Sequence, residues 1–266
     1  MKEWNGNLIV EIFNASVIKN DYTLLDSITL KIGNGEHAAV IGPNGSGKTS
    51  LLKLITKDYY PVYNGDNSFI KVFDKKNIPI FELRSRIGIL SDNLQNTYNR
   101  RCNGKNVILS GFFGSIGIHE YQEITPDMIN KTEETLDFLE INELAHKKLE
   151  EMSSGEINRF LVGRALVNEP EVLILDEPTC NLDLKSADIF LSYIRKIAKK
   201  GKTIIMVTHN LHDIIPEMDR IIMMKNGKIF KDGQKESLLT SDNMSGLFDS
   251  KIKVIHSNKY FTAYLK

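Results

Sequence analysis

Apolar residues along the chain fall in short runs set between polar turns. Residues 8–13 (LIVEIF) and 24–32 (LLDSITLKI) read as strands joined by the turn-rich Lys19-Asn20-Asp21. Asn34-Gly35 predicts a hairpin turn, and 38–41 (AAVI) a short buried strand after it. A glycine-rich loop follows, then helical periodicity from Thr49 to Thr56. A strand pair is expected around Ser68 to Phe73, and one more buried strand at Ile87 to Leu90. From about 104 to 151 the pattern becomes helical throughout, through Ile129, Leu136, Leu139, Leu144 and Ala145. One helix starts at Thr125-Pro126-Asp127, with Thr125 as cap and proline at the first helical position. After 152 the alternation returns: a helix over 157–167, a strand over 172–175, a helix over 184–200 and a strand over 203–207. A βαβ-like tail and a terminal hairpin over 252–264, turning at Ser257-Asn258, complete the pattern. The expectation is a mainly parallel α/β core interrupted by a helical insertion.

Composition narrows the function classes. The chain has 266 residues, with 34 Lys+Arg against 34 Asp+Glu and a formal net charge of +0. That balance lacks the basic footprint of a protein whose main work is gripping phosphodiester backbone, so no nucleic acid is expected. Two cysteines, Cys102 and Cys180, make neither a disulfide framework nor a metal site. No apolar run reaches the roughly 18–20 residues of a membrane helix, so no direct membrane insertion is expected. The first residues (MKEWNGNLIVEIFN) lack a long apolar core, and no export signal is read. A cytoplasmic protein is the expectation.

The glycine-rich loop is Gly42-Pro43-Asn44-Gly45-Ser46-Gly47-Lys48-Thr49, which matches G-x-x-x-x-G-K-[ST]. Glycines let backbone N–H groups curl around phosphate oxygens with no Cβ in the way. The helix opening near Lys48 turns its positive end to the same anion. Lys48 places a point charge on the β/γ-phosphates and Thr49 offers a hydroxyl to Mg²⁺, with Ser50 next in the same turn. The bland alternative is a glycine-rich turn, but this loop follows an apolar strand and opens a helix.

Residues 172–179 (VLILDEPT) are four apolar residues ending in two acids. A strand reaching a polar loop explains the run. Beside a phosphate loop the acids also have a chemical role. Asp176 is the candidate Mg²⁺ holder and Glu177 the candidate general base that polarises water toward the γ-phosphate. Adjacent strand residues point to opposite sides, which would let the two acids divide these roles.

Ser153-Ser154-Gly155-Glu156 has the S-x-x-E form of a helix capping box, and a capped helix start with a glycine is also a second anion site. Here the stretch 152–179 (MSSGEINRFLVGRALVNEPEVLILDEPT) resembles the signature-to-Walker-B segment of the ATP-binding cassette (ABC) ATPases. The resemblance runs through GPNGSGKT, MSSGE, VLILDEPT, the D-loop-like Cys180-Asn181-Leu182-Asp183, and Val207-Thr208-His209. It implies a P-loop NTPase core with a mainly parallel sheet, an N-terminal antiparallel β subdomain and an inserted α-helical subdomain. It implies ATP and Mg²⁺ as ligands and ATP hydrolysis as the activity. It further implies a head-to-tail dimer in which Ser153, Ser154, Gly155 and Glu156 of one copy cover ATP on the P-loop of a second. His209, by itself an ordinary strand-end residue, resembles the switch histidine that contacts γ-phosphate. Asp183 resembles the D-loop acid communicating across the dimer.

The pattern departs from the family in three places. The glutamine usual after the strand at 87–90 is replaced by Asp92, and Gln95, three residues later, is the expected Mg²⁺-linked residue. The position of the adenine-stacking aromatic falls on Lys19, with Tyr22 a displaced candidate that could equally be a plain hairpin residue. Glu156 replaces the usual signature glutamine. The segment 104–118 (GKNVILSGFFGSIGI) is similar to cassettes of the molybdate and iron-chelate importer type, where Phe112 and Phe113 either pack the helical lobe or form a docking surface.

The expected organisation is one ATP-binding domain over 1–266. Its core covers 1–95 and 152–266, with a helical insertion at 96–151 and a hairpin extension at 246–266. The resemblance implies an ATPase that energises a transporter whose permease subunits are separate chains, held at the cytoplasmic face of the membrane through that partner. The alternative is a soluble, non-transport cassette acting as an assembly or regulatory factor.

Overall fold

The structure, a computed structural model, describes residues 7–62, 67–91 and 94–266. The chain opens with β1 (Leu8–Lys19), β2 (Tyr22–Gly33), β3 (His37–Ile41), α1 (Lys48–Ile55) and β4 (Phe69–Val72). Next come α2 (Ile80–Arg86), β5 (Ile87–Ser91), α3 (Leu94–Thr97), α4 (Gly104–Phe113), α5 (Pro126–Phe138), α6 (Ser154–Leu166), β6 (Val172–Asp176) and α7 (Leu184–Lys199). The closing elements are β7 (Thr203–Thr208), β8 (Arg220–Lys225), β9 (Lys228–Gln234), α8 (Lys235–Leu238), α9 (Ser241–Phe248), β10 (Ile252–Ser257) and β11 (Tyr260–Leu265). Two compact units result: Met1–Ile80 with Gly201–Lys266, and Phe81–Lys200.

The first unit holds an antiparallel sheet in the order β2-β1-β4 and a second set of strands in the order β7-β3-β8-β9. β3 pairs in parallel with both β7 and β8. All six residues of β7 and four of the five of β3 are buried. Central parallel strands are covered on both faces and therefore read as unbroken apolar runs, which is why AAVI and TIIMV carry no alternation. Each buried Val, Ile or Met side chain there contributes about 1.5–3 kcal/mol from leaving water.

Four local expectations change. Asn34-Gly35 makes no hairpin, because β2 pairs with β1 while β3 joins β7 and β8, so the turn carries the chain from one sheet to another. The strand pair around 68–73 is a single strand, β4, paired with β1. The tail is not βαβ: β8 and β9 are an antiparallel hairpin around Asn226-Gly227, whose φ values of 52° and 74° suit the twist of a two-residue turn. β10 and β11 pair antiparallel, and their turn lies at Asn258-Lys259, one residue beyond the expected position.

In the second unit β5 and β6 run parallel. Thr125 caps α5 by accepting the Met128 N–H at 3.3 Å. α7 buries Phe190, Leu191, Tyr193, Ile194, Ile197 and Ala198, one stripe at i, i+3, i+4 and i+7 spacing. Phe112 and Phe113 are half-buried at the end of α4.

Candidate functional site

In the first unit the loop after β3 is shaped by close packing. A Cβ on Gly42 would fall 2.2 Å from the Met224 carbonyl oxygen and 2.7 Å from Ser46 Oγ, so no larger residue fits. Gly45 and Gly47 take φ of 77° and 102°, the left-handed region that favours glycine. The loop closes through the Ser46 N–H to the Pro43 carbonyl at 3.1 Å. From outside, the Gly227 N–H donates to the Ser46 carbonyl at 3.0 Å, and Gly227's own carbonyl accepts from Asp26 N–H at 2.8 Å. The β8–β9 turn thus props the loop.

Lys48 is 6% exposed, and its ammonium donates to the carbonyls of Gly42 at 2.8 Å and Pro43 at 3.2 Å. It bends back over the loop it belongs to. Gly47 caps α1 with no side-chain bond, which suits this helix start to an external acceptor. Asn44, Gly45 and Thr49 are exposed, while Pro43 and Ser50 are half-buried. Ser46 is 2% exposed, and its hydroxyl finds no hydrogen-bond partner among the described residues. A helix start without a side-chain cap, a buried ammonium and an orphaned hydroxyl fit a phosphate chain.

His209 joins this group through strand register. Ile41 pairs with Thr208, so Gly42 and His209 leave neighbouring strand ends of the same sheet together. His209 is exposed. Tyr22 is 75% exposed at the start of β2, opposite Lys19. The Lys19 ammonium lies 5.1 Å from the ring centroid of Tyr59.

In the second unit β6 ends at Asp176, which pairs with Ser91. Asp176 and Glu177 are half-buried. The expectation that strand alternation separates the two acids does not hold, because the strand stops at Asp176 and Glu177 takes φ of 48°. Left-handed backbone at a non-glycine residue costs about 1–2 kcal/mol, a strain that concentrates at functional sites. A narrow cleft beside Glu177 is bounded by Ser91, Asn158, Cys180 and Asn181. Gln95 lies in α3 with its side chain outside the described part of the structure, and Asp92 lies outside the described residues.

Ser153 caps α6 in a reciprocal box. Its hydroxyl accepts the Glu156 N–H at 3.3 Å, and the Glu156 carboxylate accepts the Ser153 N–H at 2.7 Å. That backbone donor, followed by the Ser153 hydroxyl, holds the Glu156 carboxyl below the usual glutamate range against the opposing effect of burial. Ser154 and Gly155 form the first turn, half-buried. Asp183 caps α7 by accepting the Lys185 and Ser186 N–H groups at 3.0 Å each and the Ser186 hydroxyl at 2.7 Å. The Ser186 hydroxyl is the largest influence holding its pKa below the usual aspartate range.

The first unit therefore groups Gly42 to Ser50 with His209, and the second carries Ser153 to Glu156, Asp176, Glu177 and Asp183. Sequence reasoning missed Met224 and Gly227, which shape the loop from β8 and its turn. The Asn-Gly pair at 226–227 was a readable turn signal, but its contact with Ser46 has no local signature.

The model of the ABC transporter family matches residues 25–180. The uncharacterised ABC transporter ATP-binding protein YlmA of Bacillus subtilis is 32% identical over 250 residues, covering 93% of this chain and 94% of that protein. The hemin import ATP-binding protein HmuV of Hahella chejuensis is 30% identical over 256 residues, covering 92% and 94%. Among solved structures, cbiO1 from Clostridium perfringens, part of the transporter complex cbiONQ, superposes with a TM-score of 0.73 at 26% identity, covering 90% of this chain and 93% of that one.

Proposed function

Because this chain belongs to the ABC transporter family, as an ATP-binding and ATP-hydrolysing cassette with the α/β P-loop NTPase fold, we propose that it energises transport through membrane subunits carried on separate chains. Among the described residues no helix is long and apolar enough to cross a membrane. The chain works at the cytoplasmic face through its partner. HmuV is named for hemin import and cbiO1 for its transporter complex, and both support this reading.

The observation that carries the chemistry is the loop from Gly42 to Thr49. On ATP binding the Lys48 ammonium exchanges the Gly42 and Pro43 carbonyls for the β- and γ-phosphate oxygens. The Ser46 hydroxyl and the amides of the first turn of α1, through Ser50, take the remaining oxygens. Tyr22 is the adenine-stacking residue. Thr49, Asp176 and Gln95 would hold Mg²⁺, and these hard oxygen donors suit that ion. When bound, it neutralises charge on the phosphates. Glu177 takes the proton of the attacking water, and His209 contacts the γ-phosphate.

Two copies complete the site head to tail. Ser153, Ser154, Gly155 and Glu156 of one copy cover the ATP of the other, with Asp183 beside the seam. Leu184, next to Asp183, is 88% exposed, an apolar side chain suited to burial in such a dimer. Within the single domain of 1–266, the core over 1–95 and 152–266 hydrolyses ATP. The helical insertion at 96–151 presents Phe112 and Phe113 toward the permease, and 246–266 is an extension. Purification from detergent-solubilised membranes tests the transport reading. A permease recovered with the chain supports it; recovery only in soluble complexes overturns it.

A further inference from the structure

The residues flanking His209 are tied to one buried carboxylate. The Thr208 hydroxyl donates to Asp213 Oδ2 at 2.6 Å, and Asn210 Nδ2 donates to Asp213 Oδ1 at 3.4 Å. The two flanking residues are also joined directly, since Asn210 N–H donates to the Thr208 hydroxyl at 3.0 Å. The turn is stitched further by the His212 N–H to Asn210 Oδ1 at 3.1 Å and by the Asp213 N–H to the Asn210 carbonyl at 3.2 Å. Asp213 is 3% exposed, and Leu211, Ile214 and Ile215 anchor the same segment in the core. On the outer side the His212 ring stacks on Tyr260 of β11 at 6.2 Å. His209 is exposed, with the residues on both sides of it tied to this network.

A carboxylate buried this deeply and bonded to both neighbours of an exposed histidine has a geometric task. We propose that Asp213 is the positioning residue for His209, holding Thr208 and Asn210 so that the imidazole keeps one approach to the γ-phosphate. The proposal rests on the reading of His209 given above. Asp213 touches no substrate; it acts by fixing the backbone on either side of the histidine. Misplacing a contact group by about 1 Å can cost on the order of 100-fold in rate.

The test compares wild type, Asp213→Ala, Asp213→Asn, Thr208→Val and His209→Ala in the full chain, by ATP hydrolysis, ATP affinity and thermal unfolding. Asp213→Ala should lower kcat roughly 10–100-fold with ATP affinity within about threefold. Asp213→Asn, which keeps an acceptor oxygen, should recover part of the loss. Thr208→Val, equal in volume and without the hydroxyl, should reproduce part of it if Asp213→Ala fails to fold. In a His209→Ala background Asp213→Ala should cost nothing further. Histidine-labelled NMR adds a readout independent of turnover: one sharp His209 imidazole signal in wild type, broadened or split in Asp213→Asn. A folded Asp213→Ala chain with wild-type kcat, or an equal loss in the His209→Ala background, overturns the proposal and leaves the His209 reading intact. A His209→Ala chain that hydrolyses ATP like wild type overturns both.

Discussion

A Cβ added to Gly155 would lie 2.8 Å from Oγ and 2.9 Å from Cβ of Ser186, so α6 and α7 meet at their first turns without room for a methyl group. Ser186 cannot simply swing away, because its hydroxyl is bonded to Asp183. Crowding at the signature loop is thereby felt at the D-loop. Gly155→Ala should weaken the ATP-dependent dimer about tenfold, an overpacking cost of about 1–3 kcal/mol. ATP affinity of the single copy should not change. Adding Ser186→Gly to Gly155→Ala reopens the space and should recover part of the dimer. Sizing chromatography with ATP reads both, and a Gly155→Ala chain that dimerises like wild type removes the assignment.

Lys48→Met keeps most of the buried volume and deletes the ammonium. Charge-assisted bonds to phosphate contribute about 1.5–3 kcal/mol each, so ATP should bind about 100-fold more weakly. Unchanged affinity by calorimetry would mean that the loop does not hold the phosphates.

Glu177→Gln deletes the general base and keeps the side chain's shape. Glutamine bears the left-handed backbone at that position no worse than glutamate, so stability should stay within about 0.5 kcal/mol. Hydrolysis should fall by roughly 10²–10⁴-fold while ATP binding persists and a dimer accumulates. Monomer alone in the presence of ATP and Mg²⁺ would count against the dimer.

His37 opens β3, half-buried, and its Nδ1 finds no hydrogen-bond partner among the described residues. Burial lowers its pKa from the ordinary histidine value, against the opposing pull of Asp219, Glu217 and Glu36. The unfolded chain therefore takes up the proton first as pH falls through about 6.5. Stability due to this group is full above that pH and declines toward the depressed folded value. His37→Gln should lose less stability than wild type between pH 7.5 and pH 5.5, as read from urea midpoints. Parallel pH profiles would show that this histidine does not contribute.

What could be read in the chain beforehand was local chemistry. The loop at 42–49, the acids ending VLILDE and the capping box at 153–156 each depend on a few consecutive residues whose backbone needs are visible in their identities. Long-range placement was not visible. Asn34-Gly35 and Asn226-Gly227 carry the same turn signal, yet one changes sheets and the other closes a hairpin, because the difference lies in which distant strands accept β3. The backbone of Glu177 escaped because alternation was extended one residue past the strand's end. Asp213 and Ser186 have no motif at all, and only the folded contacts reveal them.

β3, which delivers the phosphate loop, takes both of its strand partners from the far end of the chain. On the ribosome everything from Gly42 to Lys202 must be added before the first partner, β7, exists. At roughly 5–20 residues per second the wait is on the order of ten to thirty seconds. Throughout that interval β3 lacks both of its strand partners, whereas the whole of 81–200 has been added by the time β7 emerges. Nucleotide can therefore act as a folding ligand only after synthesis is nearly complete, once β7 and β8 have joined β3.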